Sequence, residues 1–124
     1  MSARSQPRSV EVVTTDEFVA WWDALPERQH DAVRDSVNLL EQFGTDLAFP
    51  YSSDVKGCNF RELRRKSGKH QLRVLYIFDH ARQAVVLIGG DKLGVNEKLF
   101  YESIIARSET IWAQYLVEHE KESP

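Results

Sequence analysis

The segment Gln71–Asp79 (QLRVLYIFD) constrains the fold of this chain more than any other part of the sequence. With the period of two of a β-strand, it is apolar on both faces. One face carries Leu72, Val74, Tyr76 and Phe78, and the other carries Leu75 and Ile77. A strand of this kind is typical of the centre of a sheet. The sequence therefore predicts a sheet covered by helices on at least part of each face.

Short connections on either side of this segment predict antiparallel neighbours. Residues 67–69 (SGK) separate it from a weaker strand at Asn59–Lys66, and residues 80–82 (HAR) separate it from an apolar strand at Ala84–Gly90. Both connections are of hairpin length. The three strands are therefore expected to form an antiparallel meander. Residues 45–57, with proline and glycine in them, are expected to form a loop.

Three helices are predicted from apolar spacing and from the residues at their ends. Thr14 or Thr15 can cap the first helix, whose acidic first turn suits the positive end of the helix dipole. Pro26 ends that helix and starts a second one, which stops at Gly44. The third helix begins at about Asn96 and runs towards the C-terminus.

With a short first strand at residues 10–13, the elements follow the order β-α-α-β-β-β-α. The fold class is α+β: one domain with a mainly antiparallel, four-stranded curved sheet, two N-terminal helices and one C-terminal helix. Residues 10–118 are expected to form this domain, residues 1–9 a flexible N-terminal tail and residues 119–124 a charged C-terminal tail. No stretch approaches the roughly 20 apolar residues of a membrane span, so no membrane partner is expected.

Charge is distributed unevenly along the chain. The formal net charge is −3, yet the segment from Lys56 to Arg73 carries +6 and the remainder therefore carries −9. Seven cations and one anion, Glu62, produce that local excess. The cations are Lys56, Arg61, Arg64, Arg65, Lys66, Lys69 and Arg73. Such segregation costs self-repulsion, and a polyanionic partner explains it better than a solvated charge run does.

Motifs for metal and cofactor binding do not occur in the sequence. It has no CxxC, HExxH or EF-hand pattern, and the four histidines lack a paired spacing. The GGDK segment (residues 89–92) follows a strand but matches neither glycine-rich phosphate fingerprint. The lone Cys58 cannot form an internal disulfide, which is typical of a reducing cytosol. We therefore expect a cytoplasmic protein with no metal and no cofactor.

Cations and one tyrosine on neighbouring elements form the candidate site. Arg73 starts the central strand, Lys92 follows the last strand and Tyr101 lies near the start of the last helix. Hairpin geometry brings these positions to one end of the sheet. The residues expected to share one concave patch are Arg73, Lys66, Lys69, His70, Lys92 and Tyr101.

Such a patch suits RNA cleavage without a metal ion. RNA cleaves itself when a base removes the 2′-hydroxyl proton, an acid protonates the departing 5′-oxygen and cations hold the pentacovalent phosphate. Arginine suits the phosphate because its planar fork donates two hydrogen bonds and stays charged. Crowded positive charge can lower the pKa of lysine or tyrosine toward neutrality, which would let such a side chain move protons.

Four motifs give the chain a family resemblance. The segment FRELRRKSGKHQLRVLYIFDHARQAVVLIGGDK, followed by FYE, resembles the RelE/ParE superfamily of bacterial type II toxins. It is most similar to the HigB-like, phage-derived branch, which typically reads LxELR…RVLYxFDxxRxAxLLxGGDKxG…WYE. The resemblance extends from TDEF through Leu116, although Phe100 stands where the branch often has tryptophan and Ala106 where it often has proline.

The resemblance implies a ribosome-dependent mRNA endoribonuclease, silenced by a DNA-binding helix-turn-helix antitoxin in a hetero-oligomer. It implies that Arg73 binds the phosphate and that Lys92 and Tyr101 complete the catalytic set. The residues expected to bind RNA are Arg61, Arg64, Arg65, Lys66, Lys69, His70 and Lys98. Two alternatives stay open at this point: a non-catalytic inhibitor of DNA gyrase, which the same superfamily contains, and an RNA-binding module without cleavage.

Overall fold

The structure is a computed structural model and describes residues 9–120. The predicted N-terminal tail, apart from Ser9, and the last four residues of the predicted C-terminal tail lie outside this range. The elements are β1 (Val12–Thr14), α1 (Asp16–Asp23), α2 (Glu27–Phe43), a 3-10 turn (Gly44–Asp46), β2 (Ser52–Asp54), β3 (Arg61–Ser67), β4 (His70–Phe78), β5 (Ala84–Asp91) and α3 (Glu97–Glu120).

The described strands form one sheet in the order β1-β5-β4-β3-β2. Its meander β3-β4-β5 is antiparallel, as the connections predicted, and β4 lies in the centre. At one edge β1 pairs with β5 in parallel, which the long connection between them permits. The predicted α+β class is confirmed.

The predicted strand count of four is wrong, because Ser52–Asp54 forms a fifth strand, β2, against β3. This segment is short and polar, so it has none of the apolar alternation that marks a strand in sequence. As an edge strand it is held by main-chain hydrogen bonds to its single neighbour. Two side-chain bonds add to them: Ser52 contacts the Tyr76 hydroxyl at 2.6 Å, and Ser53 donates to Glu62 at 3.1 Å.

Both N-terminal helices begin and end as their terminal residues predict. The Thr15 hydroxyl accepts a hydrogen bond from the Phe18 amide at 3.0 Å, which caps α1. Pro26 precedes α2, and the Gly44 amide donates to Leu40 at the other end of that helix. Gly44 has a φ of 56°, a conformation that a glycine adopts without strain.

Apolar side chains cover both faces of the sheet. On one face Leu63, Leu72 and Val74 pack with Val33 and Leu40 of α2. On the other face the packed residues include Phe60, Leu75, Leu87, Ile104 and Ile111, the last two from α3. We call these the α2 face and the α3 face. Within residues 9–120, no helix combines the length and the apolar character that crossing a membrane requires.

Candidate active site

The alternation of β3 divides the basic segment between the two faces of the sheet. Leu63 packs on the α2 face, so its neighbours Glu62 and Arg64 lie on the α3 face. Arg64 is directly opposite Arg73 of β4, which places both arginines on the α3 face. Arg61 and Arg65 are each two residues from Leu63 along β3 and therefore lie on the α2 face.

The two arginines on the α2 face make contacts that hold the structure together. Arg61 donates to Asp54 at 2.5 Å, to the Tyr76 hydroxyl at 3.2 Å and to Ser52 at 3.1 Å. Arg65 reaches Asp35 of α2 at 3.4 Å. These two residues were expected to bind RNA. Both guanidinium groups have acidic partners, Asp54 and Asp35, although Arg65 also lines the groove that Arg64 and Arg73 line.

Glu62 is the centre of the group on the α3 face. Its carboxylate is buried and accepts hydrogen bonds from the Tyr101 hydroxyl at 2.7 Å, from Ser53 at 3.1 Å and from Arg64 at 3.0 Å. Arg73 Nε lies 3.8 Å from Glu62 Oε1, within ion-pair distance. A single carboxylate thus joins residues from β2, β3, β4 and α3.

Arg73 has an unused hydrogen-bond donor. The side chain is 4% exposed, and its terminal amine donates to the carbonyl of Leu72 at 3.0 Å. Its Nε is buried and makes no hydrogen bond among the described residues. A buried donor of this kind is costly and calls for a partner. Because the guanidinium lines a groove, an anion entering that groove could accept from it.

Tyr101 is held as a hydrogen-bond donor. Burial and the hydrogen bond to Glu62 raise the pKa of Tyr101 to about 12, although Arg73 acts in the opposite direction. The expectation that crowded cations lower the pKa of this tyrosine toward neutrality is wrong, because burial and the carboxylate of Glu62 together outweigh them. At neutral pH the phenol keeps its proton.

Lys92 stands next to Tyr101. Its ammonium lies 5.3 Å from the centre of the Tyr101 ring and 2.7 Å from the carboxylate of Glu97. The hydrogen bond from Lys92 holds the pKa of Glu97 below its ordinary value. The Lys92 side chain is 14% exposed, so it lies at the rim of the site. The structure therefore brings Arg73, Lys92 and Tyr101 into one set of neighbouring side chains on the α3 face.

His70 lies apart from this set. It has the strand parity of Leu72 and contacts Asp91 through its Nδ1 at 2.5 Å. Burial alone would raise the pKa of Asp91, but hydrogen bonds from the Leu93 amide, from His70 and from the Gln71 amide hold it below its ordinary value. Asp91 thereby joins the end of β5 to the start of β4, and His70 takes part in this structural contact.

The remaining predicted cations are exposed around the site. Lys66 has the parity of Arg64 and lies on the α3 side of β3, Lys69 lies in the turn between β3 and β4, and Lys98 lies in the first turn of α3. A groove of about 270 Å³ runs beside the arginines. Its lining residues are Pro50, Tyr51, Arg64, Arg65, Lys66 and Arg73. Residues 9–120 contain no cluster of histidine, cysteine and acidic side chains that could hold a metal ion.

Glu62 and Ser53 are the site residues that the sequence reasoning missed. Glu62 was noticed as the one anion of the basic segment, without a role in the site. Strand alternation gives the signal that could have found it, since Glu62 and Arg64 are two residues apart on the same face of β3. Ser53 had no such signal, because it lies in the strand that was taken for a loop.

Similar proteins are known at the level of sequence. The family described as phage-derived protein Gp49-like matches residues 20–112 of this chain. Two Mycobacterium tuberculosis proteins named as toxins, HigB2 and HigB3, are each 34% identical to it. The HigB2 match spans 85% of this chain and 54% of HigB2, and the HigB3 match spans 76% of this chain and 82% of HigB3. The chain thus spans about half the length of HigB2.

Solved structures share the fold at lower identity. The toxin–antitoxin complex RelBE2 of Mycobacterium tuberculosis contains a chain with a TM-score of 0.53 and 18% identity, over 67% of this chain and 91% of that chain. An archaeal RelE–RelB complex from Pyrococcus horikoshii gives 0.52 and 15%, over 68% of this chain and 97% of that chain. These likenesses show the fold.

Proposed function

We propose that this chain is an endoribonuclease that cleaves mRNA on the ribosome. The chain belongs to the Gp49-like family, in the HigB-like branch of the RelE toxin superfamily. In this role it is the toxin of a toxin–antitoxin pair and acts in the cytoplasm. The partner that silences it is an antitoxin with a helix-turn-helix DNA-binding domain. Arrested translation and growth follow from loss of the transcripts.

The observation that carries the proposal is the buried Arg73 with an unused Nε donor beside a groove lined by cations. A phosphate in that groove can accept from Arg64 and lies close to Arg73, which lines the same groove. Both guanidinium groups are already ordered by Glu62, so the site need not reorganise when negative charge develops on the phosphorus. Arginine also keeps its charge and can donate two parallel bonds to a phosphate.

The proposed reaction is attack of the ribose 2′-oxygen on the adjacent phosphorus. A bond forms between the 2′-oxygen and phosphorus, and the bond from phosphorus to the 5′-oxygen breaks. The products are a 2′,3′-cyclic phosphate and a free 5′-hydroxyl group. The proton lost by the 2′-oxygen is balanced by one gained at the 5′-oxygen, so the transfer consumes no water and needs no cofactor.

Each side chain of the site has a role in this reaction. Arg73 and Arg64 hold the phosphate and stabilise the charge of the transition state. Tyr101, whose pKa of about 12 keeps it protonated, donates its one hydroxyl hydrogen bond to Glu62 and so helps to orient that carboxylate; it does not act as the base. Lys92 is the proton-transfer residue at the rim, next to Tyr101. Glu62 is a positioning residue that orients the other groups.

The test compares Arg73→Ala with Arg34→Ala, an exposed arginine of α2 that does not line the groove. Each protein is expressed in growing bacteria, and transcript ends are mapped by sequencing. Losing one preorganised donor to a transition-state oxyanion typically slows a reaction about 100- to 1000-fold. Arg73→Ala is therefore expected to remove cleavage within coding regions and the growth arrest. Arg34→Ala should keep both, because its guanidinium contacts exposed Asp31 on the same helix.

A second variant shows whether loss of cleavage comes from lost chemistry or from lost folding. Lys92→Met keeps an alkyl chain at the rim and removes only the charge, so it should fold normally and still lose most cleavage. Soluble Arg73→Ala and Lys92→Met proteins that cut transcripts as the unaltered protein does would refute the assignment. Inhibition of DNA supercoiling by purified gyrase, without transcript cleavage, would favour the gyrase-inhibitor alternative.

A further inference from the structure

Two aromatic side chains stand exposed next to the cationic groove. Phe49 is 71% exposed and Tyr51 is 49% exposed, and only Pro50 separates them in the chain. Tyr51 and Pro50 line the groove together with Arg64, Lys66 and other cations. Single exposed apolar residues are common on protein surfaces and need no explanation. A pair of aromatic rings beside a cationic groove is a larger feature and indicates a binding surface.

The main chain of this segment is firmly held, although its rings face solvent. The Tyr51 amide donates to Ala48 at 3.0 Å, and the Ser52 amide donates to the same carbonyl at 3.1 Å. The carbonyl of Tyr51 accepts from the Arg64 amide at 2.9 Å, which joins the segment to β3. The rings therefore project from an ordered support whose position relative to the arginines is fixed.

One cation already contacts the aromatic pair. The guanidinium carbon of Arg64 lies 5.3 Å from the centre of the Phe49 ring, in cation–π contact. The same Arg64 donates to Glu62 inside the site. A ligand with a flat ring next to a phosphate could therefore contact Phe49 or Tyr51 with its ring and Arg64 or Arg73 with its phosphate.

We propose that Phe49 and Tyr51 form a stacking platform for a nucleobase of single-stranded RNA, next to the phosphate that is cleaved. This inference rests on the proposed ribonuclease function and adds to it a second binding element outside the catalytic set. Single-strand binding proteins combine a cationic groove with aromatic rings in this way, because every base has a face that can stack. Such stacking is tolerant of base identity.

The surroundings of the platform favour RNA over an apolar protein segment. Covering the rings with an apolar partner would also remove water from Lys66 and Arg64, and Arg64 has only a share of Glu62, which also pairs with Arg73. RNA supplies an aromatic ring and a phosphate with every nucleotide, so it satisfies the rings and the cations together. A double helix does not fit this role, because its bases are stacked on each other.

The test measures binding of the full-length protein to a short RNA that cannot be cleaved. A fluorescent oligoribonucleotide with 2′-O-methyl groups is titrated at low salt, and its anisotropy is followed. Tyr51→Ala and Phe49→Ala are each expected to weaken binding by about tenfold or more, in line with the loss of one stacked base. Tyr51→Phe keeps a ring and should bind as the unaltered protein does. Val117→Ala, an exposed apolar residue on α3, is the matched control and should also bind normally.

Removing a base from the RNA identifies the stacked position. When each nucleotide is made abasic in turn, one position should weaken binding to the unaltered protein by about tenfold and leave binding to Tyr51→Ala unchanged. The dependence of RNA affinity on salt concentration should stay the same in Tyr51→Ala, because no phosphate contact is lost. Arg64→Ala should reduce that dependence.

The outcomes separate this inference from the proposed function. If the unaltered protein bound the RNA and both ring variants bound it equally well, the platform would be refuted while the ribonuclease proposal stood. If those variants instead lost affinity for an antitoxin alone, the rings would be a protein-binding surface and the inference would again fail. An unaltered protein that neither binds the free RNA nor cuts transcripts in growing bacteria would overturn both proposals.

Discussion

Replacing Glu62 by glutamine tests whether one buried carboxylate holds the cations of the site together. The side chains of Glu62 and Arg73 are each 4% exposed, and Arg73 Nε lies 3.8 Å from Glu62 Oε1. Glutamine has nearly the shape of glutamate and keeps an oxygen that can accept from Tyr101. The substitution therefore removes the negative charge and leaves the Arg73 guanidinium buried without its counter-ion.

Two physical arguments give the same value for the loss of stability in Glu62→Gln. At 3.8 Å and an effective dielectric constant of about 20, the Coulomb energy of the pair is about 4 kcal/mol. Removing one partner of a buried ion pair typically costs about 3–5 kcal/mol, because the other charge stays buried. Since the side chains of Glu62 and Arg73 are each only 4% exposed, screening by solvent reduces this value little. We expect the free energy of unfolding of Glu62→Gln to fall by about 3–5 kcal/mol.

The assay is urea unfolding followed by tryptophan fluorescence, with the midpoint and the slope compared between variants. Asp35→Asn is the control, because it also removes the carboxylate partner of a β3 arginine, at a site that is 60% exposed. Its expected loss is about 0.5 kcal/mol or less. The double variant Glu62→Gln, Arg73→Met removes both buried charges and should recover much of the stability. A loss below about 1 kcal/mol in Glu62→Gln, or no recovery in the double variant, would refute the reasoning.

Two further predictions concern Tyr101 and Gly89. Because the pKa of Tyr101 is about 12 in the folded state and about 10 in an unfolded chain, the folded state binds this proton more tightly between those values. The free energy of unfolding should therefore fall as pH rises from about 10 to 12, and urea titrations at stepped pH should show a shallower fall in Tyr101→Phe. A Cβ atom at Gly89 would overlap the Trp21 ring, so Gly89→Ala should destabilise the protein by about 1–3 kcal/mol. An unchanged thermal midpoint for Gly89→Ala would contradict that packing.

The parts of the fold that follow local rules could be predicted from the sequence. Apolar residues on both faces of Gln71–Asp79 identified the central strand, and the cap at Thr15 and the stop at Gly44 depend on neighbouring residues alone. The strand at Ser52–Asp54 could not be predicted in the same way. Its pairing depends on main-chain atoms of β3, which carry no signature in the side-chain sequence.

The residues of the site were easier to predict from the sequence than their arrangement in space. Arg73, Lys92 and Tyr101 come together because strand order and α3 bring them to one face, whereas the hairpin argument predicted one concave patch at an end of the sheet. Of the residues predicted to share that patch, only Arg73 and Lys66 line the groove. The alternation of β3 divides the basic segment, sends Arg61 to the other face and brings Glu62 inward. The raised pKa of Tyr101 follows from burial and from the carboxylate of Glu62.

The parallel pairing of β1 with β5 has a consequence for the order in which the site can assemble. The hydroxyl of Thr15, at the end of β1, donates to the carbonyl of Leu87, which lies 72 residues further along the chain. The sheet edge can therefore close only after Leu87 has been synthesised, and Tyr101 is added later still. A nascent copy lacks the neighbouring set of Arg73, Lys92 and Tyr101 until β5 and the first turns of α3 have been made. Topology in this way makes assembly of the site a late step of folding.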